Sequence, residues 1–414
     1  MTSDMKEFAH KKKIAFKALG GKVKGFCWHI GVARALEERG FHFLGGPRKE
    51  GTPREYGELR INPLIGSSAG ALFVTLLASG LSVRDLQKVE IPRKLIFRSS
   101  GTSPVDYMKR VARRASWRTG RPFQLGDLEL GDLLAFRGMY TMAGMEKYLR
   151  EVHLAGRNRF EDLAAELYII TTELDRPRAV VFGEKDEDRS TDYVYRPGVP
   201  VSQAAAASMS VPPFFAPFPI ERRGESKFFV DGDLRDPYST HAAEEAGADL
   251  VFVSCVYEPY RATHRRASLF EFGASSIYGQ IIDHALDSMK MNAIRRRRQA
   301  RDLYAAIAFF TEGRLPPEEQ QSLLSLVEQY LDYRRQNTII YLSPGGDEEL
   351  YRINPFDFSP KVQQFIIERA FRRTLRVLGE YRRGGTDLVH RSSDPRSDAY
   401  QRGAIPGASG ATGP

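Results

Sequence analysis

The sequence predicts an α/β protein, a mainly parallel sheet covered by helices, and three observations point to it. Two segments share one grammar of strand, Gly-rich turn and helix: IAFKALGG leads to HIGVARALEERG, and INPLIG leads to SSAGALFVTLLASG. Further along, ELYIITTEL, AVVFG and DLVFVSCVY are apolar, β-branched runs of strand length. Strands that alternate with helices pair in parallel, because each helical crossover returns the chain to the same end of the sheet.

The first strand stops at Gly20-Gly21, and in the helix after it Ile30, Ala33 and Leu36 share a face before Gly40 ends it. In the second unit Leu64-Ile65 ends a strand, and Ala69 to Ala78 reads as a helix closed by Gly80. Residues 81–160 change character and read as an insertion or lid beside the sheet. LSVRDLQKV has a helical pattern; RSSGTSP, RASWRTGRPFQ and LLAFRGMYT are turn-rich, and a short helix resumes at 145–152.

Segment 201–218, VSQAAAASMSVPPFFAPF, begins as a small-residue helix and ends in a Pro-Phe stretch that cannot continue it. KFFVDGD is a strand meeting a turn, and THAAEEAG is a helix. A long helix is predicted over 275–297, with Ile277, Ile281, Ile282, Leu286 and Met289 on its apolar face. It ends in the run Arg295 to Arg298, which reads as a solvated face. PPEEQQSLLSLVEQYLDY is a helix, NTIIYL a strand and SPKVQQFIIERAFRRTLRVLGEY a last helix. The tail 384–414, rich in Gly, Ser, Pro and Arg, is expected to be disordered, leaving 12–383 as the folded domain.

With 414 residues, 42% hydrophobic and 27% charged, the chain can bury a sizeable core, which excludes wholly disordered, collagen-like and disulfide-framework classes. Lys+Arg 61 against Asp+Glu 52 gives a formal charge of +9, favouring encounter with anionic surfaces such as phospholipid headgroups, nucleic acid or acidic proteins. Neither zinc-finger spacing nor an aromatic-basic ribbon selects nucleic acid. Cys27 and Cys255 are too few for a disulfide framework and fit a reducing compartment. The N-terminal basic cluster is followed by a short apolar run broken by Lys17, a poor signal peptide, and no run reaches the ~20 apolar residues of a membrane span. A soluble, cytoplasmic chain that touches membranes at most peripherally is the expectation.

The chemistry centres on Gly66-Ser67-Ser68-Ala69-Gly70, placed where a predicted strand becomes a helix. This is the nucleophile-elbow pattern: the turn is so tight that the neighbours of its central residue must be small. Ser68 would sit at the tip, near a helix N-terminus whose dipole favours developing negative charge. The plain alternative is a Gly/Ser turn with Ser67 or Ser68 capping the helix.

Two further features weigh against that alternative. Gly20-Gly21-Lys22-Val23-Lys24-Gly25 lies between the first strand and its helix, at the same sheet end as Ser68, where backbone amides can receive an oxyanion. The G-x-G-x-x-G spacing and the Walker Lys-Ser/Thr pair are both absent, which speaks against a nucleotide loop. Asp231-Gly232 ends the strand KFFV. By itself it is a turn; beside a strand-end serine it is a candidate base. His29, His241 and His284 fall in helical segments and read as packing or surface residues.

On these residues the chain resembles the patatin-like phospholipase family, the serine-aspartate lipid acyl hydrolases. HIGVARALEERG after the Gly loop, the elbow GSSAG, ELYIITTELDRPRAVVFG, AAAASMSVPPFFAPF and DGD carry the resemblance, in the family's order of Gly loop, Ser and Asp. The resemblance implies a three-layer α/β/α sandwich with a mainly parallel central sheet, and a dyad of Ser68 and Asp231 that needs no histidine. It implies an oxyanion hole at Gly20, Gly21, Lys22 and Val23, an elbow of Gly66, Ser67, Ala69 and Gly70 around Ser68, and an Asp motif completed by Gly232 and Asp233. Lys24 matches the family's basic loop residue, in contact with a phosphate or a neighbouring carboxylate. No cofactor or metal is implied; the substrate is a phospholipid or other acyl ester, with transient contact at an anionic membrane surface. Phe214, Phe215 and Phe218 are candidates for an acyl channel or for ordinary packing.

The sequence departs from the family pattern in three places. Lys22 stands where a third glycine is usual, one extra residue lies between Gly25 and Gly31, and Asp233 stands where the Asp motif usually ends in Gly or Ala. These departures keep open a non-catalytic lipid-binding or interaction module; a general carboxylesterase is the third reading.

Overall fold

A computed structural model describes residues 8, 10–49, 51–89, 93–96, 104–127, 138, 140–187, 193–257, 259 and 274–384, apart from 213, 223, 236, 239, 332, 335, 336, 346 and 355. Among these residues ten strands make one mixed sheet. They are β1 (Ile14–Ala18), β2 (His42–Phe43), β3 (Arg60–Ser67), β4 (Leu167–Glu173), β5 (Ala179–Phe182), β6 (Tyr193–Arg196), β7 (Phe218–Arg222), β8 (Glu225–Asp231), β9 (Leu250–Ser254) and β10 (Thr338–Leu342). The spine runs β10-β9-β1-β3-β4-β5-β6, with β2 paired to β3, β8 to β4 and β7 to β8.

From β10 to β4 every pairing along the spine is parallel. Pairings β4–β5, β4–β8 and β7–β8 are antiparallel. The switch at β4 follows from chain length: LDRPR, between Glu173 and Ala179, is too short for a crossover and makes a hairpin.

Side-chain alternation sends each strand's residues to two cores. Ile14, Phe16 and Ala18 of β1 join one cluster, while Ala15 and Leu19 join the other. The first cluster is completed by α1 (Lys22–Glu38), α2 (Ala69–Ala78), the helix Val201–Ser208 and the C-terminal helix Pro360–Gly384. His241–Glu245 and the long helix Ala274–Thr311 cover the second. The result is the expected α/β/α sandwich with a mainly parallel sheet. Within the first layer α1 lies hard against the C-terminal helix, so a Cβ on Gly31 would stand 2.6 Å from the Ala370 Cβ and collide with the Ile367 carbonyl.

Several elements differ from the sequence reading. The helix α1 starts at Lys22, not after Gly25, so most of the supposed loop is the helix's first turn. Residues RASWRT, read as turn-rich, lie in the helix Pro104–Thr119. The long helix runs through Arg295–Arg298 to Thr311, since that stretch holds no Gly or Pro and arginine is a good helix former. Arg297 within it is bonded to Glu244 at 3.2 Å and to the Asn337 carbonyl at 2.6 Å, which makes that part of the run a contact. The short strands β2, β6 and β7 carry too few residues to show a period and were not anticipated. The segment 131–137 and the tail 385–414 lie outside the described residues. Among the described residues no helix is long and apolar enough to cross a membrane.

Candidate active site

Strands β3 and β8 share one edge of β4 and approach each other head-on. Ser67, the last residue of β3, pairs opposite Ile170, and Asp231, the last residue of β8, pairs opposite Thr171, the next residue along β4. The approach is close: a Cβ on Gly232 would stand 3.1 Å from the Ser67 Cβ. Asp231 thus reaches the carboxyl end of β3 from an antiparallel strand, whereas a simple run of βα units would have placed it on another parallel one.

Ser68 sits between β3 and α2 with φ 53 and ψ −125, a conformation that non-glycine residues rarely adopt. Strain of about 1–3 kcal/mol there persists only where surroundings enforce it. Here they do: the Ser68 N–H donates to the Ser208 Oγ at 2.8 Å, and the Ser208 hydroxyl donates to the Ile170 carbonyl at 2.6 Å. The Ser68 side chain makes no capping bond to α2, and Ser67 donates its hydroxyl to Asp233, so neither serine acts as an ordinary cap.

Asp231 is 3% exposed. Its Oδ1 accepts the Asp233 N–H at 2.8 Å, while its Oδ2 is buried with no hydrogen-bond partner among the described residues. Burial, then the neighbouring Asp233 charge, push the Asp231 carboxyl well above its ordinary pKa; the Ser68 hydroxyl, the Asp233 amide and Lys22 oppose that shift. The Asp233 carboxyl is also raised by burial, against the pull of Ser67, Tyr257, Gly20 and Lys17. It accepts the Gly20 N–H at 2.6 Å, the Tyr257 phenol at 2.9 Å and the Ser67 hydroxyl.

Gly20 completes the convergence. A Cβ there would lie 2.7 Å from the Ser68 Cβ and overlap the Asp233 carboxylate and the Tyr257 hydroxyl, so only glycine fits. Its amide, expected to face the oxyanion, is instead turned to Asp233. Gly21, Lys22 and Val23 remain, at the start of a helix where amides have no preceding intrahelical carbonyl to meet. Lys22 adopts φ 58, a left-handed conformation that suits glycine. Its ammonium lies 5.0 Å from the Phe356 ring centroid and 5.6 Å from that of Phe214. Burial lowers the Lys22 pKa, and Asp283 and Asp231 oppose the change.

Behind the loop stands His29. One ring nitrogen meets the Leu19 carbonyl at 2.6 Å and the other the Ser254 hydroxyl at 2.7 Å, and burial drives the imidazole down to about 4. It is a neutral brace for the turn. His241 stacks on Tyr193 at 3.8 Å in the opposite layer, and His284 is exposed on the long helix. Phe215 and Phe218 are core residues, leaving Phe214 as the one of the three aromatics against Lys22. The carboxylate near Lys24 is Asp283, held at about 6 by burial with Lys24 and Lys22 favouring its charge. Tyr257, Ser208 and Asp283 escaped the sequence reading. Tyr257 had a faint signal, three residues beyond a parallel strand end, while Ser208 and Asp283 had none.

No curated protein sequence matches the chain. Among solved structures it is similar to VipD from Legionella pneumophila, with 14% identity and a TM-score of 0.38 over 89% of this chain and 67% of that one. A family model described as patatin-like phospholipase matches residues 19–244, an interval that opens beside Gly20 and contains Ser68, Asp231 and Asp233. With more than half its length inside that match, on an α/β sandwich of the same kind, the chain belongs to the patatin-like phospholipase family and is a lipid acyl hydrolase of the serine-esterase type.

Proposed function

We propose that Ser68 and Asp231 are the catalytic dyad of this hydrolase and that the amides of Gly21, Lys22 and Val23 receive the oxyanion. The observation that carries the reading is the unpartnered, buried Oδ2 of Asp231 beside a strained serine. As Ser68 Oγ attacks the ester carbonyl, Asp231 Oδ2 takes the hydroxyl proton. Negative charge moves to the carbonyl oxygen, where α1 presents its first amides and the positive end of its dipole. Collapse returns the proton to the leaving alcohol and leaves an acyl ester on Ser68. Water then attacks that ester, giving a proton to Asp231, and the proton returns to Ser68 as the fatty acid leaves. A carboxylate whose pKa is raised is a stronger base than an ordinary one, which suits proton removal from a hydroxyl.

We infer a phospholipid or lysophospholipid substrate met at an anionic membrane surface, in a cytoplasmic setting. The net charge of +9, Lys22 facing Asp231, Lys24 facing Asp283, and two buried cysteines not joined in a disulfide support that reading. The hydrolase domain is best taken as 12–383, because β10 extends the sheet and the C-terminal helix covers α1. Within it we take 81–160 as the lid; the bridge from Tyr140 to Phe215, next to the Phe214 that faces Lys22, supports that reading.

A fluorophosphonate probe tests the dyad. Wild-type protein should be labelled at Ser68, and Ser68→Ala and Asp231→Asn should each lose at least ~10³-fold in ester turnover with an unchanged circular dichroism spectrum. Turnover retained by Ser68→Ala removes the assignment. Fatty-acid release from anionic vesicles exceeding that from zwitterionic ones supports the substrate class; turnover of short soluble esters alone makes the protein a general carboxylesterase.

A further inference from the structure

We propose that Asp233 is a positioning residue for acyl transfer, its carboxylate drawing the Gly20 amide, the Ser67 hydroxyl and the Tyr257 phenol into one arrangement around Ser68 and Asp231. The proposal rests on the dyad reading above and adds a role for the buried carboxylate two residues beyond the base.

The donors come from three separate stretches of chain: the turn after β1, the last residue of β3 and the segment after β9. A buried carboxylate holds its charge only when donors satisfy it, and three donors are what this one has. It therefore works as a clasp. By fixing the Gly20 peptide it fixes the start of the turn whose next amides are left for the oxyanion, and by holding Ser67 it holds the residue before the nucleophile. Its own N–H occupies Asp231 Oδ1, which leaves Oδ2 as the oxygen free to take a proton from Ser68.

The clasp also sets the charge around the base. Asp233, which accepts three hydrogen bonds, is the better satisfied carboxylate of the two, and its charge raises the Asp231 pKa. The other groups facing the pair are Lys22 from α1, Lys17 from β1, the Ser67 and Ser68 hydroxyls of the elbow, Tyr257 after β9 and Tyr238. Asp283 of the long helix faces Lys22 in turn. Lys22 favours the Asp231 anion, Lys17 favours the Asp233 anion, and the Asp233 charge disfavours ionisation of Asp231.

The test uses the full chain with Asp233→Ala, Asp233→Asn, Tyr257→Phe and Ser68→Ala, assayed on a soluble p-nitrophenyl ester across pH, with fluorophosphonate labelling and thermal melting in parallel. Asp233→Ala should lower kcat about 10- to 100-fold, with KM changed no more than about twofold, as expected when reacting groups are misplaced. In Asp233→Asn the acidic limb of kcat/KM should move to lower pH, because the charge opposing Asp231 ionisation is gone. Should Asp233→Ala fail to fold, Asp233→Asn and Tyr257→Phe decide, the latter with a severalfold loss of kcat. Variants that melt earlier yet keep wild-type kcat and an unmoved acidic limb overturn the proposal, leaving Asp233 a structural residue. Activity in Ser68→Ala would instead remove the dyad reading itself, so the two failures are distinct.

Discussion

Lys22 holds the backbone of a glycine while carrying a side chain, and two energies of similar size meet there. Left-handed strain costs about 1–3 kcal/mol, and a partly desolvated ammonium over aromatic rings returns about 0.5–2 kcal/mol. Lys22→Gly relieves the first and forfeits the second, so its melting temperature should stay near wild type. Chemistry should respond more. The lysine charge favours the Asp231 anion, so without it the Asp231 pKa rises and the acidic limb of kcat/KM moves to higher pH, a shift that pH–rate profiles of Lys22→Gly and Lys22→Met would both record. The direction is opposite to that expected for Asp233→Asn, as charges of opposite sign facing one carboxylate require. Lys22 and Asp233 were legible as departures from a pattern, but their contacts were not, because they lie with Phe214, Phe356, Gly20 and Tyr257, distant in the chain.

At the scale of elements β4 is the splint of the site, pairing with β3 below and β8 above along one edge. The elbow and the Asp-Gly turn could be read from sequence because each is a local demand, small residues in a tight turn and a strand ending in Asp-Gly. The direction of β8 could not, because it is fixed by antiparallel pairing with β7 and with β4, which is distant in the chain. The small-residue helix is legible as a close-packing element, yet its last residue does more than pack. Ser208 takes the Ser68 N–H and gives its hydroxyl to Ile170, so Ser208→Ala leaves two buried backbone groups without those partners. A loss on the order of 1–3 kcal/mol is expected, read as a lower urea midpoint, together with reduced kcat as the elbow relaxes.

For the whole molecule, stability should depend on pH partly through the neutral brace at His29. Its folded pKa of about 4 lies below the ordinary 6.5, so the unfolded chain binds a proton first as pH falls. Stability from this group is intact above about pH 6.5 and is lost as pH falls towards 4, by on the order of 3 kcal/mol. Protonation of the raised Asp231, Asp233 and Asp283 carboxyls acts in the opposite sense, so the measurement is a comparison: urea midpoints of wild type and His29→Gln should converge as pH falls from 6.5 to 4. At this scale the sandwich was evident from alternating strands and helices, whereas the continuation of the long helix to Thr311 was hidden because four arginines look like an end and behave as good helix formers.

The splint arrangement has a consequence for biosynthesis. A polypeptide leaving the ribosome exposes its nucleophile well before its base, and the two meet only after the strand between them in sequence has docked with both. On the dyad reading, the nascent chain passes the lipids of the cell unarmed, and its esterase chemistry switches on as a late event of maturation.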